Sequence, residues 1–203
     1  MQAVTLAQWF LQKNPSLCNG YNDENTKLNK LLYFANLMHH AVTGEDLIDE
    51  RFEKWINGPV LRSVYRDYRY NGLGCVSLAS VPVDDPAARK MLEIVNFVYG
   101  NKSGRELSDE THTHSIWQEQ EPNGLINFAN MSVTERNLMR NLYETYRHLD
   151  FDKIGTEKIN GNLYYFDKNE LEVSEKMISE LEQIPPGQEP VFLQMIDGDL
   201  IFS

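Results

Sequence analysis

Two histidines in the segment "THTHS" are the residues of this chain that most resemble a catalytic or metal-binding pair. His112 and His114 are two positions apart, a spacing that directs both side chains to one metal ion on a strand but separates them on a helix. The chain has no HExxH motif, and neither Ser115 nor Ser132 lies in a GxSxG motif. We therefore expect no metal, no cofactor and no catalytic residue, and we interpret both histidines as hydrogen-bonded residues at the edge of the core. A small hydrolase that uses His112 or His114 is an open alternative.

A glycine and a proline in "FEKWINGPVLRSVYRDY" raise the question of a phosphate site, because free N–H groups at a helix start attract anions. Pro59 removes one of those donors, and the GxxxxGK[ST] and GxGxxG patterns are both missing. We interpret Gly58-Pro59 as a structural bend after a strand that is apolar at Phe52, Trp55 and Ile56. Burial of Trp55 against the next helix is expected to fix this bend.

That next helix is predicted from Pro59 to about Tyr70 and carries a stripe of positive charge. Arg62, Arg66 and Arg69 are separated by four and three residues and so share one face, which Tyr65 flanks. The opposite, apolar face carries Leu61, Val64 and Tyr68. Arginine, tyrosine and tryptophan are enriched at binding hot spots, so we assign partner binding to Trp55, Arg62, Tyr65, Arg66 and Arg69. The alternative is a solvated face in which the arginines pair with Glu53 or Asp67.

Helical periodicity dominates the part of the chain that must position these residues. The strongest signal is "TKLNKLLYFANLMHHAVTG", which Asn25 or Thr26 can cap and Gly44 can end in a left-handed conformation. Further helices are predicted from Thr5 to Lys13, in "AARKMLEIVNFVYG", around "SGRELSDETH", and from the capping-box pair Ser132 and Glu135 to about His148. The runs "DLID" and "RFEKWI" predict a small β-hairpin or an irregular extended pair.

The pattern changes after Asp150. Asn160-Gly161 between alternating residues predicts a hairpin, "NELEVSEKMISELEQI" an acidic helix, and Asp197-Gly198 a second hairpin. We therefore predict a mainly α fold with two domains. A single compact helical domain with a short extended hairpin covers residues 1–149. A small, acidic β-α-β appendage with two hairpins and a helix covers residues 150–203.

Charge and composition narrow the function classes. The formal net charge is −11, of which residues 1–149 supply −3 and residues 150–203 supply −8. Nucleic-acid binding is disfavoured because it needs positive surface, whereas a basic protein partner fits; simple solubilisation is the alternative. No apolar run is long enough for a bilayer, so no membrane association is expected. The N-terminus lacks a signal peptide, and Cys18 and Cys75 form no framework, which favours the cytoplasm.

Spaced motifs between residues 5 and 149 resemble the Panacea domain, the SocA-like or GepA-like family of prophage-associated proteins. The helix pattern K-L-x-K-L-L-Y-x-A is present as Lys27, Leu28, Lys30, Leu31, Leu32, Tyr33 and Ala35. The pattern F-x-x-W followed by G-P-V and a V-Y helix is present as Phe52, Trp55, Gly58, Pro59, Val60, Val64 and Tyr65. The later element L-S-x-x-T-H with a tryptophan is present as Leu107, Ser108, Thr111, His112 and Trp117. Members of the family usually have proline after this tryptophan, whereas Gln118 follows it here, which predicts a different local turn.

The resemblance implies a helical antitoxin of a toxin–antitoxin pair, with no catalytic residues to transfer. Toxins neutralised by the family include alarmone-synthetase-like enzymes and membrane-active peptides, and one branch delivers its toxin to a protease. We therefore expect a chain that binds a cognate protein toxin directly. Two alternatives are an adaptor that brings a toxin to a protease and a phage inhibitor of a host defence protein. The acidic segment after Asp150 lies outside the shared pattern, and we expect it to influence partner choice.

Overall fold

The computed structural model describes residues 1–19, 22–74, 82–187, 190–196 and 199–202. Within them the chain forms two compact units, Met1–His148 and Leu149–Ser203. The mainly helical fold class is confirmed. That the two units are separate domains stays a prediction. Cys75 and the predicted turn at Asp197-Gly198 lie outside the described residues.

Helices make up most of the first unit. They are α1 (Ala3–Lys13), α2 (Asn22–Thr43), α3 (Arg62–Asn71), α4 (Pro86–Tyr99), α5 (Gly104–Thr111), α6 (Ser115–Gln118) and α7 (Val133–Tyr146). Short 3-10 helices lie at Pro15–Asn19, Gly72–Gly74 and Phe128–Asn130. Two strands, β1 (Glu53–Trp55) and β2 (Gly58–Val60), separate α2 from α3. In the described residues, none of the helices is both long and apolar enough to span a lipid bilayer.

Helix α2 is the centre of this unit, and α1, α4, α5 and α7 pack around it. It begins at Asn22, earlier than the cap predicted at Asn25 or Thr26, and Asp23 and Glu24 lie in its first turn. Carboxylates there interact favourably with the positive end of the helix dipole, which explains the extra turn. The helix ends as predicted, because Gly44 has a φ of +84°.

Of the two structures predicted for "DLID" and "RFEKWI", the β-hairpin between these runs was wrong. Residues 46–49, the "DLID" run, form no strand, and β1 instead pairs antiparallel with β2, with Trp55 opposite Gly58. Pro59 therefore lies in a strand and does not start the helix, which begins at Arg62 and ends before Gly72. Gly58 has a φ of +94°, a backbone conformation that lets the chain reverse within two residues. The bend is thus the second half of a hairpin.

The acidic second unit has a mixed sheet. Its elements are β3 (Ile154–Ile159), β4 (Asn162–Asp167), α8 (Glu175–Leu181), β5 (Val191–Ile196) and β6 (Asp199–Phe202). Strands β3 and β4 form the predicted hairpin, in which Asn160 and Gly161 both have positive φ values. Helix α8 connects β4 to the parallel strand β5, and β6 pairs antiparallel with β5. Tyr164, Leu181 and Leu193 belong to a separate small core.

Candidate functional site

A buried lysine of α2 forms a hydrogen bond with the main chain of the β1–β2 hairpin. Lys30 of α2 is fully buried, and its Nζ donates a hydrogen bond to the carbonyl oxygen of Pro59 at 3.0 Å. Burial lowers the pKa of Lys30 to about 7, because the charged form loses its hydration. The main chain directly after β2 is also held by Asn29, whose side-chain oxygen accepts from the N–H of Leu61 at 2.9 Å. Polar groups of α2 therefore fix the position of the hairpin.

Helix α5 packs so closely on the hairpin that only glycine fits at position 58. A Cβ on Gly58 would lie 2.5 Å from Oγ1 of Thr111 and 2.7 Å from Cε of Lys30. One turn earlier, Oγ of Ser108 donates to the carbonyl oxygen of Asn57 at 2.8 Å. The motif residues Lys30, Gly58 and Thr111, far apart in sequence, thus meet at one point.

A stack of three side chains borders the hairpin on its other side. The ring of His112 lies 4.1 Å from that of Trp117, centroid to centroid, with an angle of 23° between their planes. The ammonium of Lys54 lies 4.4 Å from the Trp117 centroid and donates to the carbonyl oxygens of Gln118 and Gln120 at 3.0 and 2.8 Å. Burial and the charge of Lys30 lower the pKa of His112, although Asp109 and a hydrogen bond with the Ile56 main chain oppose this. The stack holds α6 against β1.

A surface cavity of about 510 Å³ opens between this stack and the hairpin tip. We call it the tip cavity; its lining residues are Lys54, Trp55, Ile56, Trp117, Pro122 and Asn123. The three apolar residues predicted for the strand differ in their burial. Phe52 is fully buried, Trp55 is half-buried, and the side chain of Ile56 is 88% exposed. The expected burial of Trp55 is thus only partial.

Trp55 links the tip cavity to helix α3. Its ring packs edge-on against Tyr65, with centroids 5.0 Å apart, and its Nε1 donates to Glu53 at 2.9 Å. The guanidinium of Arg62 lies 5.6 Å from the Trp55 ring and forms a bidentate ion pair with Glu53, at 2.9 and 2.6 Å. Hydrogen bonds from Arg62 lower the pKa of Glu53 most strongly; burial opposes them, and the bond from Trp55 adds to them. The pairing of Arg62 with Glu53 is one that the sequence left open.

The other two arginines of the stripe have no carboxylate partner in the part of the chain that the structure describes. Arg66 is exposed and makes no ion pair or hydrogen bond with any residue that the structure describes. Arg69 donates to the side-chain oxygen of Asn22 at 3.1 Å and to the hydroxyl of Tyr65 at 3.3 Å, both neutral groups. Leu61, Val64 and Tyr68 are buried on the opposite face, as the periodicity predicts. As far as the described residues go, the stripe therefore has two positive charges without a carboxylate partner beside the Trp55–Tyr65 pair.

His112 and His114 contact different residues. His114 is buried, and its Nδ1 lies 2.8 Å from the hydroxyl of Tyr33, whereas His112 stacks on Trp117. Burial is also the main cause that lowers the pKa of His114. Among the described residues, no three His, Cys, Asp or Glu side chains come together as a metal site. The structure thus gives each histidine the hydrogen-bonded or packed environment that the core-edge interpretation describes.

The remaining motif residues support the hairpin without reaching the cavity lining. Val60 is buried in β2, and Tyr33 is fully buried against Phe52 and Phe128. Lys27 is half-buried; burial lowers its pKa, while nearby carboxylates, of which Asp23 contributes most, oppose this.

Sequence reasoning missed Lys54, Ile56, Pro122 and Asn123. An isoleucine directly before Asn-Gly was a usable signal, because a turn tip exposes its side chain. The sequence holds no comparable signal for Pro122 and Asn123, because they reach the hairpin only through the main-chain hydrogen bonds of Lys54 with Asn123 and Gly124.

A family comparison covers the part of the chain that holds the hairpin and α3. The model of the family "Antitoxin SocA-like, Panacea domain" matches residues 28–77, about a quarter of the chain. Neither a curated protein nor a solved structure matches. Lys30, Trp55, Gly58 and Arg66 all lie inside the matched range. Residues 28–77 thus match the Panacea domain of SocA-like antitoxins.

Proposed function

We propose that this chain is an antitoxin that neutralises a cognate protein toxin by binding it directly, without catalysis. The observation that carries the proposal is the surface formed by the hairpin and α3, within and beside the Panacea match. We call it the hairpin–α3 surface and define it as Trp55, Ile56, Arg62, Tyr65, Arg66 and Arg69. It combines aromatic rings, an exposed aliphatic side chain and uncompensated guanidinium groups.

This composition supports binding to another protein. Tryptophan, tyrosine and arginine dominate interface hot spots, because each buries a large area and still offers a directional polar group. An isoleucine that is 88% exposed beside an apolar cavity offers contiguous apolar surface that a partner can bury. The buried supports of Lys30 and Thr111 hold the hairpin in place, which reduces the entropy lost on binding.

Two further parts of the proposal rest on charge and thiol chemistry. The acidic segment 150–203 is proposed as a second contact region for a basic surface of the toxin, because its net charge is −8. The free thiol of Cys18 supports a reducing, cytoplasmic location.

The test begins with the reading frame that neighbours the gene. Its product is expressed with the antitoxin, growth is scored, and binding of the two purified proteins is measured by calorimetry. We expect Arg66→Glu to weaken binding at least about tenfold, since a hot-spot residue contributes more than 1.4 kcal/mol. Arg89→Glu is the matched control, because Arg89 is also an exposed helix arginine without an ion pair among the described residues.

The same experiment separates the alternatives. Stoichiometric inhibition by purified antitoxin, with the toxin intact by mass spectrometry, supports direct neutralisation. Rescue of growth that disappears in a protease-null strain would instead identify an adaptor. Unchanged affinity of Arg66→Glu would remove the hairpin–α3 surface from the proposal, and turnover of a substrate by the purified chain would overturn it.

A further inference from the structure

The tip cavity is large enough to receive a side chain of another protein. At about 510 Å³ it lies in the size range of ligand pockets, which hold an aromatic group with part of its backbone. Two tryptophans, Ile56 and Pro122 contribute apolar walls, so an apolar group gains more than a polar one by entering. Ile56 stands exposed at the rim, where an occupant would cover it.

One polar group at the cavity is unsatisfied in the free chain. Nε1 of Trp117 is buried and has no hydrogen-bond acceptor among the described residues, and Nε2 of the stacked His112 is likewise buried without a hydrogen-bond partner there. A buried donor without an acceptor is unfavourable, and native proteins rarely keep one. Because this nitrogen is already shielded from solvent, an oxygen of an occupant reaches it only when the Trp117 ring moves.

The charges beside the cavity specify the rest of the occupant. Arg62, next to Trp55, is neutralised by Glu53, whereas Arg66 and Arg69 carry no carboxylate partner in the described part of the chain. Along α3, Arg66 and Arg69 lie about 6 and 10 Å beyond Arg62, at 1.5 Å per residue. An extended segment rises about 3.3 Å per residue and places alternate side chains on one face. Counted from Arg62, which lies against the cavity-lining Trp55, carboxylates two and four positions along the segment are about 7 and 13 Å away, within side-chain reach of Arg66 and Arg69.

We propose that the toxin is held by an extended segment with one large apolar anchor and acidic residues two and four positions away. The anchor enters the tip cavity, and the two carboxylates pair with Arg66 and Arg69. This inference rests on the proposed function and names the chemistry of the partner at the same surface. The free guanidinium groups select the acidic residues, in contrast to the chain's own net charge of −11.

Short peptides test the recognition without the toxin. The probes are acetyl-Phe-Ser-Glu-Ser-Glu-amide and its reversed sequence, and the controls replace glutamate by glutamine or lysine. They are titrated into the isotope-labelled full chain, and the indole N–H signals of its three tryptophans are followed by NMR. We expect one acidic peptide to shift the Trp117 and Trp55 signals with a dissociation constant of about 1 mM or tighter, and to leave the buried Trp9 unchanged. The lysine peptide should bind at least about tenfold more weakly.

Matched variants locate the site. Ile56→Asp should weaken the acidic peptide about tenfold, since it places a carboxylate at the rim. Val133→Asp is the control, because Val133 is also an exposed aliphatic residue, at 74%, on α7. Equal binding of acidic and basic peptides, or no shift at Trp117 and Trp55, would overturn the proposed segment.

The toxin itself separates this inference from the proposed function. Toxin that binds the Ile56→Asp and Val133→Asp variants equally well would reject the cavity and leave the antitoxin role standing. Acidic peptides that bind at Trp117, together with a neighbouring product that neither binds nor is neutralised, would reject the antitoxin role and leave the site standing.

Discussion

At the scale of single residues, Gly58 shows how the fold restricts one position. We predict that Gly58→Ala lowers the free energy of unfolding by about 2–4 kcal/mol, from the left-handed φ together with the clash against Thr111 and Lys30. Gly44→Ala is the control, because its φ is +84° but a Cβ there would meet nothing within 4 Å. Its loss should be only about 1–2 kcal/mol. Urea unfolding of both variants measures the difference, and equal losses would show that the close contact is relaxed.

The buried amine of Lys30 gives a second residue-scale prediction, on pH. Between pH 7 and 10.5 the unfolded chain keeps a proton that the folded chain has lost, so this group makes stability rise with pH. Below pH 7 the amine is protonated in both states and contributes no slope. From pH 7 to 9 the contribution is about 2 kcal/mol, since one pKa unit corresponds to 1.36 kcal/mol.

Comparison of variants separates the contribution of Lys30 to the pH dependence of the unfolding free energy from the contributions of other titrating groups. Lys30→Met should remove about 2 kcal/mol from the change in unfolding free energy between pH 7 and 9. Lys13→Met, at an exposed lysine of α1, removes the same formal charge and should keep the wild-type slope. Parallel curves for all three proteins would mean that Lys30 is solvated.

At the scale of elements, Glu135 connects two helices as well as capping one. Its carboxylate accepts hydrogen bonds from the Ser132 main chain at 2.7 Å, and from the hydroxyl and main-chain N–H of Ser115 on α6. Burial alone would raise the pKa of Glu135, but the hydrogen bonds from Ser132 and Ser115 outweigh it and the net shift is downward. This stability is present above the unfolded pKa and lost as pH falls through the folded one.

We therefore predict that Glu135→Gln destabilises the chain by about 1–3 kcal/mol at pH 7, since a charged acceptor is lost. The deficit should shrink as pH falls from the unfolded toward the lowered folded pKa of Glu135, because the wild-type carboxylate then becomes protonated as well. Thermal unfolding over a series of acidic pH values, with pH 7 as the reference, measures it. Glu144→Gln, which affects only an exposed pair with Arg147, should change stability by less than about 0.5 kcal/mol. A pH-independent deficit for Glu135→Gln would refute the ionic origin.

The elements that local spacing encodes were predictable from the sequence. The Ser132–Glu135 capping box, the Asn160-Gly161 turn and the left-handed end at Gly44 each depend on a few adjacent residues. The β1–β2 hairpin could not be predicted from the sequence, because Pro59 is also a favourable residue for the first turn of a helix. What decides its conformation is the contact of Gly58 and Pro59 with α2 and α5, which sequence spacing does not record.

In the candidate site, too, one part was predictable from local spacing and another part was not. The arginine stripe follows from steps of three and four residues on one helix, so its face was predictable. The tip cavity combines residues 54–56 with residues 117–123, whose approach depends on non-local main-chain pairing. The spacing of arginine and tyrosine residues therefore predicted a binding surface on α3. The tip cavity beside it could be recognised only from the fold.

At the scale of the whole molecule, the hairpin–α3 surface and the acidic segment 150–203 carry charges of opposite sign, although both units are net negative. The hairpin–α3 surface presents uncompensated arginines, whereas residues 150–203 hold most of the net negative charge. A toxin that contacts both would need an acidic segment and a basic patch. Removal of residues 149–203 should then leave the toxin bound through the first surface but slow its association about tenfold at low salt, because electrostatic steering is lost.

Stopped-flow association of the toxin with the full chain and with residues 1–148 tests this. The first unit has its own buried core around α2, so the truncated protein should unfold cooperatively, which circular dichroism checks first. The two association rates should converge as salt rises and screens the acidic segment, because its field then no longer reaches the approaching partner. If the truncated protein folds and associates at the full rate even at low salt, the acidic segment only solubilises the chain. Partner choice would then depend on the hairpin–α3 surface alone.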